Sequence, residues 1–209
     1  MSDLLFNTFI LMLVVVDPVG LVPLFGALTQ ESPRLEQRRM AVKAVLLAGA
    51  ILLVFAFAGN RLLTALGIGL PAFKIAGGAL LFLLAIDMVF ARQSGLRSTT
   101  RSEQREAVRR HDISVFPLAF PLIAGPGAIT TLLLVLAGHR GDPAAVAGVL
   151  LVLGVVLLLT LGALLLTGHL MRWLGETGAN VVSRVLGLVL TALAVQFVLD
   201  GIRAAFLIR

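Results

Sequence analysis

Apolar residues along this chain are grouped into six long runs that are separated by short polar segments. A helix needs about 20 mostly apolar residues to cross the hydrocarbon core of a membrane. The six runs are Leu4–Leu28, Ala41–Ala58, Phe73–Phe90, Ser114–Ala137, Ala145–Gly168 and Val182–Leu207. The pattern predicts an all-α polytopic membrane protein with six transmembrane helices, forming a single transmembrane domain over residues 1–209.

Two of these runs are interrupted by proline and glycine near mid-membrane depth. Proline removes a backbone hydrogen bond from a helix, and in lipid a broken helix survives only where protein buries it or where it lines a cavity. Paired interruptions in two halves of a chain are typical of a transporter's substrate site. We therefore expect broken first and fourth helices with substrate between them. The interrupting residues are Asp17, Pro18, Val19 and Gly20 in the first run and Gly125, Pro126 and Gly127 in the fourth.

The backbone at such interruptions has the chemistry to bind a small zwitterion. The helix before a break ends in carbonyl groups that attract cations, and the helix after it begins with N–H groups that attract anions. Gly20, Gly125 and Gly127 would let the backbone approach a ligand closely. A small amino acid carries both charges, so it fits this arrangement.

Asp17 is the first candidate for chemistry, because an ionised carboxylate at the bilayer centre costs at least ~2.5–3.5 kcal/mol. Asp followed by Pro is also a good helix start, in which the carboxylate accepts backbone N–H bonds. Two roles stay open: a helix cap alone, or a cap that also contacts the substrate or a coupling cation, H⁺ or Na⁺.

Three further polar residues are candidates for substrate contact. Thr130 and Thr131 lie one turn into the helix that follows the second interruption, although membrane threonines often hydrogen-bond their own backbone instead. Gln196 lies deep in the sixth run, one turn before Asp200. An amide at that depth should find a partner inside the bundle.

A long polar stretch, residues 92–113, divides the chain into residues 1–91 and residues 114–209, with three apolar runs each. Because three is an odd number of crossings, the second half must insert upside down, as in the inverted repeats of secondary transporters. Gly77 and Gly187, which are 110 residues apart, are one of several weak matches between the halves. We expect the stretch to be a solvated cytoplasmic linker, and whether it binds a partner stays open.

Charged residues in the third and sixth runs predict two ion pairs. Lys74 and Arg184 lie near helix N-termini, and Asp87 and Asp200 lie near C-termini, which is opposite to the preference of the helix dipole. The inverted topology places Lys74 at the depth of Asp200, and Asp87 at the depth of Arg184. We expect these two pairs to act as gates, unless each side chain extends to its own interface.

Composition and charge narrow the function. The chain is 59% hydrophobic, has a net charge of +6 and contains no cysteine. Twelve of its 17 lysines and arginines lie on the side opposite the termini, so the positive-inside rule places that side in the cytoplasm. Membrane topology, rather than nucleic-acid binding, explains the basic residues. No metal-ligand spacing links the histidines and no enzyme motif is present, so we expect no metal, cofactor or catalysis.

These residues together resemble the MarC family, also called the small neutral amino acid transporter family. The resemblance rests on the two interruptions and on further stretches at Lys74–Gly78, Ala85–Met88, Phe120–Gly127 and Ala194–Gly201. It implies an inner-membrane protein of six spans, with both termini in the periplasm by the charge rule. Some members are associated with transport of glycine, alanine and similar amino acids. Lys74 stands where many relatives have arginine, which keeps the charge but loses bidentate geometry.

The sequence therefore predicts a secondary transporter of small neutral amino acids. Two other classes stay open: a passive channel for small solutes, since half-helices also suit channels, and a non-transporting scaffold or stress-response factor. The exact substrate, the direction of transport and the oligomeric state are not specified, and a homo-oligomer through glycine-rich faces stays open.

Overall fold

The structure is a computed structural model that describes residues 1–90, 112–139 and 141–207. Within these ranges it is all-helical and contains no β-strand. The predicted linker lies outside the described residues, except for Asp112 and Ile113. The helices are α1 (Ser2–Val16), α2 (Pro18–Thr29), α3 (Arg34–Ala65), α4 (Leu70–Phe90), α5 (Ser114–Ile123), α6 (Pro126–Ala137), α7 (Pro143–Leu165) and α8 (Thr167–Leu207). Unlike the others, α5 is a π-helix, and its backbone is non-helical at Phe116 and Phe120.

In the described part of the chain, five helical segments are long and apolar enough to cross a membrane, or six if α5 and α6 count as one bent span. Each predicted run overlaps one of these segments over most of its length, which confirms an all-helical, multi-pass membrane protein. The segments are Ser2–Thr29, Arg34–Gly59, Leu70–Phe90, Pro143–Leu165 and Thr177–Phe206, together with the α5/α6 pair.

Two helices extend well beyond the apolar runs that predicted them. α3 begins at Arg34, because the polar residues before Ala41 are mostly good helix formers. α8 begins at Thr167 and is kinked at Gly175, whose φ of 62° is readily adopted only by glycine. Hydropathy marks where lipid contact begins, which is not where the helix begins.

The interior of the bundle is formed by the helices that flank the two interruptions. α1 packs against α6 and α7, and α2 packs against α7 and α8. α5 packs against α3, while α6 packs against α3 and α4. Met12, Phe25, Leu118 and Leu132 are fully buried in this core. Both interruptions therefore lie inside protein, as the absence of water in lipid requires.

α4 and α8 form the most extensive helix pair, and they run antiparallel. Lipid is as apolar as leucine, so membrane helices associate through close packing at small residues instead of the hydrophobic effect. Close approach at three glycines builds this pair. The contacts are Gly78 with Val198, Gly187 with Met88, and Gly201 with Ile75.

Gly78→Ala should destabilise the α4/α8 pair. An added Cβ would lie 2.8 Å from the Ala194 carbonyl oxygen and 3.0 Å from the Val198 backbone nitrogen, and a helix backbone cannot yield as a side chain does. Overpacking of this kind costs about 1–3 kcal/mol. We expect a lower midpoint of thermal unfolding in detergent, measured by circular dichroism.

Gly154→Ala is the matched control, because Gly154 lies inside α7 and an added Cβ there meets no atom within 4 Å. This variant should be neutral or slightly more stable, since alanine has the higher helix propensity. Equal destabilisation by the two substitutions would contradict the close-packing role of Gly78.

An ion pair between Lys43 of α3 and Asp112 joins the two halves at one end of the bundle. Asp112 also accepts hydrogen bonds from the backbone N–H of Ser114 (2.9 Å) and from the Ser114 hydroxyl. The hydrogen bonds from Lys43 and Ser114 lower the pKa of the Asp112 carboxyl from 3.8 to about 2. These contacts hold the start of α5 beside α3.

Asp112→Asn should reduce stability at neutral pH but not near pH 2. Because the pKa of Asp112 is lower in the folded state, its ionised form stabilises the fold above 3.8, and that stabilisation is lost as the pH falls through about 2. The side chains are 53% and 49% exposed, so we expect an effect below about 1 kcal/mol that salt weakens. The unfolding midpoints of the native protein and the variant should converge as the pH falls towards 2. A difference between the midpoints that stayed constant with pH would show that loss of the ion pair does not cause it.

Candidate functional site

The first interruption is a single residue, Asp17, between α1 and α2. Its backbone is left-handed (φ 47°, ψ 69°), a region that Asp enters more readily than most L residues. The Asp17 N–H donates to the Leu13 carbonyl (2.9 Å), and its carbonyl accepts from the Leu21 N–H (3.2 Å). These two hydrogen bonds connect Asp17 to both helices, although the regular ladder is broken, because Pro18 has no N–H to donate and the Gly20 N–H bonds the Asp17 side chain.

The Asp17 side chain caps α2 from a fully buried position. Its Oδ1 accepts a hydrogen bond from the Gly20 N–H at 3.0 Å, and Pro18 is the first residue of the helix. The side chain is 0% exposed. The predicted helix cap is confirmed, and it satisfies a backbone donor that lipid could not.

Ser183 of α8 is a second partner of Asp17, and sequence reasoning missed it. The Ser183 hydroxyl donates to Asp17 Oδ2 at 2.7 Å, which links the two halves of the chain. Gly20 makes room for this contact, because a Cβ there would overlap Asp17 Oδ2 and lie 2.6 Å from Ser183 Oγ. The available signal was a small hydroxyl residue at the start of the sixth run, one turn before Gly187.

The second interruption consists of Ala124 and Gly125, between α5 and α6. The two helix axes are bent by 50° at this place. Gly125 is extended (φ −76°, ψ 173°) and precedes Pro126, the first residue of α6. A Cβ at Gly125 would overlap the Pro121 carbonyl oxygen, so this close approach requires glycine.

Residues beside the two interruptions meet inside the bundle. Gly127, in the first turn of α6, packs so closely that a Cβ would lie 3.2 Å from Val15 of α1 and 2.8 Å from Leu84 of α4. These three residues line a cavity of about 20 Å³, which is room for about one water molecule. The rest of its lining comes from the second interruption and the helix residues on either side of it: Pro121, Leu122, Ile123, Gly125, Pro126 and Ala128.

Thr130 and Thr131 are both buried but have different environments. Thr130 packs its methyl group against Gly77 of α4. The Thr131 hydroxyl has no hydrogen-bond partner among the described residues. The backbone bond expected of membrane threonines is therefore absent at Thr131, although other threonines make it. These are Thr29, Thr160 and Thr191, each of which donates to the carbonyl four residues earlier.

Two predictions about the sixth run are wrong. Gln196 is exposed instead of inside the bundle, and its amide donates to Asp200 Oδ1 at 2.8 Å. Lys74 and Asp200 do not form an ion pair. At about 100° per residue, Asp200 lies roughly 120–160° around α8 from Ala194 and Val198, which face α4. Lys74 and Asp200 do lie at a similar level along the α4/α8 pair, where Gly201 contacts Ile75, but the predicted rotation about the helix axis is wrong.

The expected Asp87–Arg184 pair is also not formed, since the one ion pair within residues 1–90, 112–139 and 141–207 is Lys43–Asp112. Asp87 is buried whereas Arg184 is exposed. By the same rotation, Asp87 lies on the side of α4 opposite Gly78, which faces α8. No group of three or more His, Cys, Asp or Glu side chains in these ranges is arranged to hold a metal ion.

Comparisons with known proteins agree with this membrane architecture. The model of a family described as MarC family integral membrane protein matches residues 2–206. A UPF0056 membrane protein of Methanocaldococcus jannaschii is 40% identical over 196 residues, which cover 92% of this chain and 93% of the relative. A UPF0056 membrane protein of Aquifex aeolicus is 36% identical, with 94% and 91% covered, and the YvbG protein of Bacillus subtilis is 33% identical, with 99% and 97% covered. No solved structure matches the chain.

Ser183→Ala should destabilise the protein more than Thr191→Val, although both remove one hydroxyl from α8. A hydrogen bond to a carboxylate contributes roughly 1.5–3 kcal/mol, and one to a neutral carbonyl about 0.5–1.5 kcal/mol. Ser183 donates to Asp17, whereas Thr191 donates to the Gly187 carbonyl on its own helix. Unfolding by increasing denaturing detergent measures the difference. Equal losses of unfolding free energy would show that the Asp17–Ser183 hydrogen bond contributes no more to stability than the Thr191 hydrogen bond to its own helix.

Proposed function

We propose that this chain, which belongs to the MarC family of integral membrane proteins, is a secondary transporter of small neutral amino acids such as glycine and alanine. Coupling to H⁺ or Na⁺ drives transport in this proposal, and the substrate binds between the two interrupted spans. The proposal includes no catalytic step and no resident cofactor. It places the protein in the cell inner membrane with both termini in the periplasm.

The observation that carries this proposal is the meeting of the two helix interruptions inside the bundle. Val15, near the end of α1, contacts Gly127, in the first turn of α6. The carbonyl end of one helix and the N–H end of another therefore lie together, and these ends carry opposite partial charges. A molecule with both an ammonium and a carboxylate group suits this arrangement.

The proposed roles follow from the group that each residue presents. The N–H groups of Gly127 and Ala128 bind the substrate carboxylate, since helix N-termini favour anions. Pro126 has no N–H and serves to start the helix. Asp17 binds the substrate ammonium or the coupling cation, because it is the buried carboxylate at the first interruption.

Thr131 supports a polar ligand close to this place. A buried hydroxyl without a partner costs roughly 1–3 kcal/mol, and Thr131 lies one turn beyond Gly127 on the same side of α6. We assign its hydroxyl a hydrogen bond to the substrate during transport. Thr130 has a packing role in this proposal, because its methyl group is held against Gly77.

Helix packing supports the inverted repeat. α1 packs against α7, and the equivalent helices of the other half, α5 and α3, pack together as well. In the same way α2 packs against α8, and α6 packs against α4. Adding 110 to the number of Gly78 and subtracting 110 from that of Val198 gives positions 188 and 88. These positions are within one residue of the second observed contact, Gly187 with Met88. This exchange is expected of two repeats related by an axis in the membrane plane.

In this proposal the structure corresponds to a closed conformation of the carrier. About 20 Å³ holds about one water molecule, which is too little for alanine. In a carrier, the substrate enters when one repeat moves relative to the other. A second conformation with a larger space at Val15, Gly127 and Asp17 is therefore part of the proposal.

Counterflow in proteoliposomes tests the proposal. Vesicles that contain the protein are loaded with unlabelled alanine, and entry of labelled alanine is followed. A carrier exchanges the two, so the label should accumulate transiently above its equilibrium level. Alanine leak without accumulation would favour a channel. No entry of alanine, glycine or serine by folded protein would reject amino acid transport and favour the scaffold class.

Two variants test the assigned roles in the same assay. Asp17→Asn should reduce exchange by at least about tenfold, the effect of losing a charged hydrogen-bond partner. Thr131→Val should reduce it roughly two- to tenfold, as expected for a neutral hydrogen bond. Thr160→Val is the matched control, because Thr160 is equally buried but bonds the Val156 carbonyl of its own helix. Equal losses for Thr131→Val and Thr160→Val would remove Thr131 from the site.

A further inference from the structure

A groove on the outer face of α3 combines exposed cations with exposed apolar side chains. It is a shallow, open surface region, and its lining residues all come from α3: Leu35, Arg38, Arg39, Val42, Lys43, Leu46 and Leu47. Leu35 is 62% exposed and Leu46 is 69% exposed. The groove lies at the end of the bundle that carries the Lys43–Asp112 pair.

The charge of this groove is positive and only partly compensated. Asp112 neutralises Lys43, but neither Arg38 nor Arg39 forms an ion pair with another residue in the part of the chain that the structure describes. No carboxylate belongs to the groove lining. Two guanidinium groups, each able to bind a phosphate with two parallel N–H donors, are thus available here.

The position of the arginines along α3 matches the headgroup level of a bilayer. They immediately precede the apolar stretch of residues 40–58, in which Lys43 is the one charged residue. A stripe of exposed apolar side chains continues from them along one face of the helix. The stripe consists of Val42, Leu46, Leu53 and Phe57.

This stripe is long enough to hold an acyl chain. Fifteen residues separate Val42 from Phe57, which is about 22 Å along a helix. One leaflet of the hydrocarbon core is about 15 Å thick. Phosphate-binding cations at the start of such a stripe have the arrangement that a two-part lipid ligand needs.

We propose that this groove is a binding site for an anionic diacyl phospholipid, with its phosphate on Arg38 and Arg39 and an acyl chain along Val42 and Leu46. A zwitterionic lipid fits less well, because its positive headgroup would lie among the arginines. The site is separate from the helix interruptions and does not depend on the transport proposal.

Two other occupants are disfavoured by charge. A second copy docked across this face by two-fold symmetry would present the same patch, so arginines would meet arginines. Residues 92–111 of this chain carry six arginines and two glutamates, so that segment also has the wrong sign. An anionic lipid is the occupant that has the opposite charge and an acyl chain that the stripe is long enough to hold.

Native mass spectrometry of the full chain in detergent tests the proposal. The protein is mixed with equal amounts of phosphatidylglycerol and phosphatidylcholine that have identical acyl chains. We expect one phosphatidylglycerol to be retained in preference to phosphatidylcholine. Each arginine should contribute about fivefold to this affinity, so Arg38→Gln with Arg39→Gln should lower it by about 30-fold.

Arg34→Gln is the matched control, since Arg34 is an exposed cation at the start of the same helix but outside the groove. It should leave the preference unchanged. The double lysine variant, Arg38→Lys with Arg39→Lys, keeps the charge but loses the bidentate geometry, so it should lower the affinity for phosphatidylglycerol by less than the double glutamine variant does. If the glutamine variant does not fold, an affinity unchanged by the lysine substitutions would contradict phosphate binding by the two guanidinium groups.

Three results would overturn the proposal. The first is equal loss of phosphatidylglycerol in Arg34→Gln and in the double glutamine variant. The second is displacement of the lipid by inorganic phosphate at equal concentration, which would make the groove a simple anion site. The third is a dimer that both arginine variants dissociate and that retains no lipid, which would make the face an interface between two copies.

Discussion

A backbone N–H or C=O group that leaves a helix inside a lipid bilayer must find its partner within the protein, because no water is there to provide one. The two interruptions of this chain meet that requirement in different ways. At Asp17, the N–H and carbonyl of one residue bond the helices on either side and its carboxylate caps the second helix. At Ala124 and Gly125, the α5/α6 bend is enclosed by α1, α3 and α4. The burial of α1 and α6 at the centre of the bundle follows from this single constraint.

Because lipid is the solvent, close backbone packing is also the main source of association between these helices. α4 and α8 approach through Gly78, Gly187 and Gly201, and the helices that follow the interruptions rest on this pair, α6 on α4 and α2 on α8. Gly77 receives Thr130, and Ser183 bonds Asp17. The separation of α4 and α8 therefore sets how closely the two interruptions approach each other.

Periodicity and composition were sufficient to predict an all-helical membrane protein, the approximate ends of its spans and the role of Asp17 as a helix cap. Each of these depends on local chemistry: apolar length, and a carboxylate followed by proline. The ion pairs and the position of Gln196 depend on how each helix is rotated, and a hydropathy run that is apolar on all sides carries little information about rotation. Ser183 was missed for a related reason, since a serine at the start of an apolar run has many equally good partners until the bundle is known.

The two interruptions are alike in packing but not in bonding. Gly20 corresponds to Thr130 at the 110-residue offset, and each contacts the third span of the other half of the chain, Gly20 at Ser183 and Thr130 at Gly77. The first of these contacts includes a hydrogen bond from Ser183 to the carboxylate of Asp17, whereas the second is a methyl group against a glycine.

Under the proposed transport function, exchange of the two repeats would not produce conformations of equal energy, because one of them separates a charged hydrogen bond and the other only a van der Waals contact. A cation or an ammonium group that takes the place of Ser183 at Asp17 would reduce that difference, since a ligand shifts an equilibrium by its differential affinity for the two states. The asymmetry thus gives a physical reason why coupling to a cation would act at Asp17 and not at the second interruption.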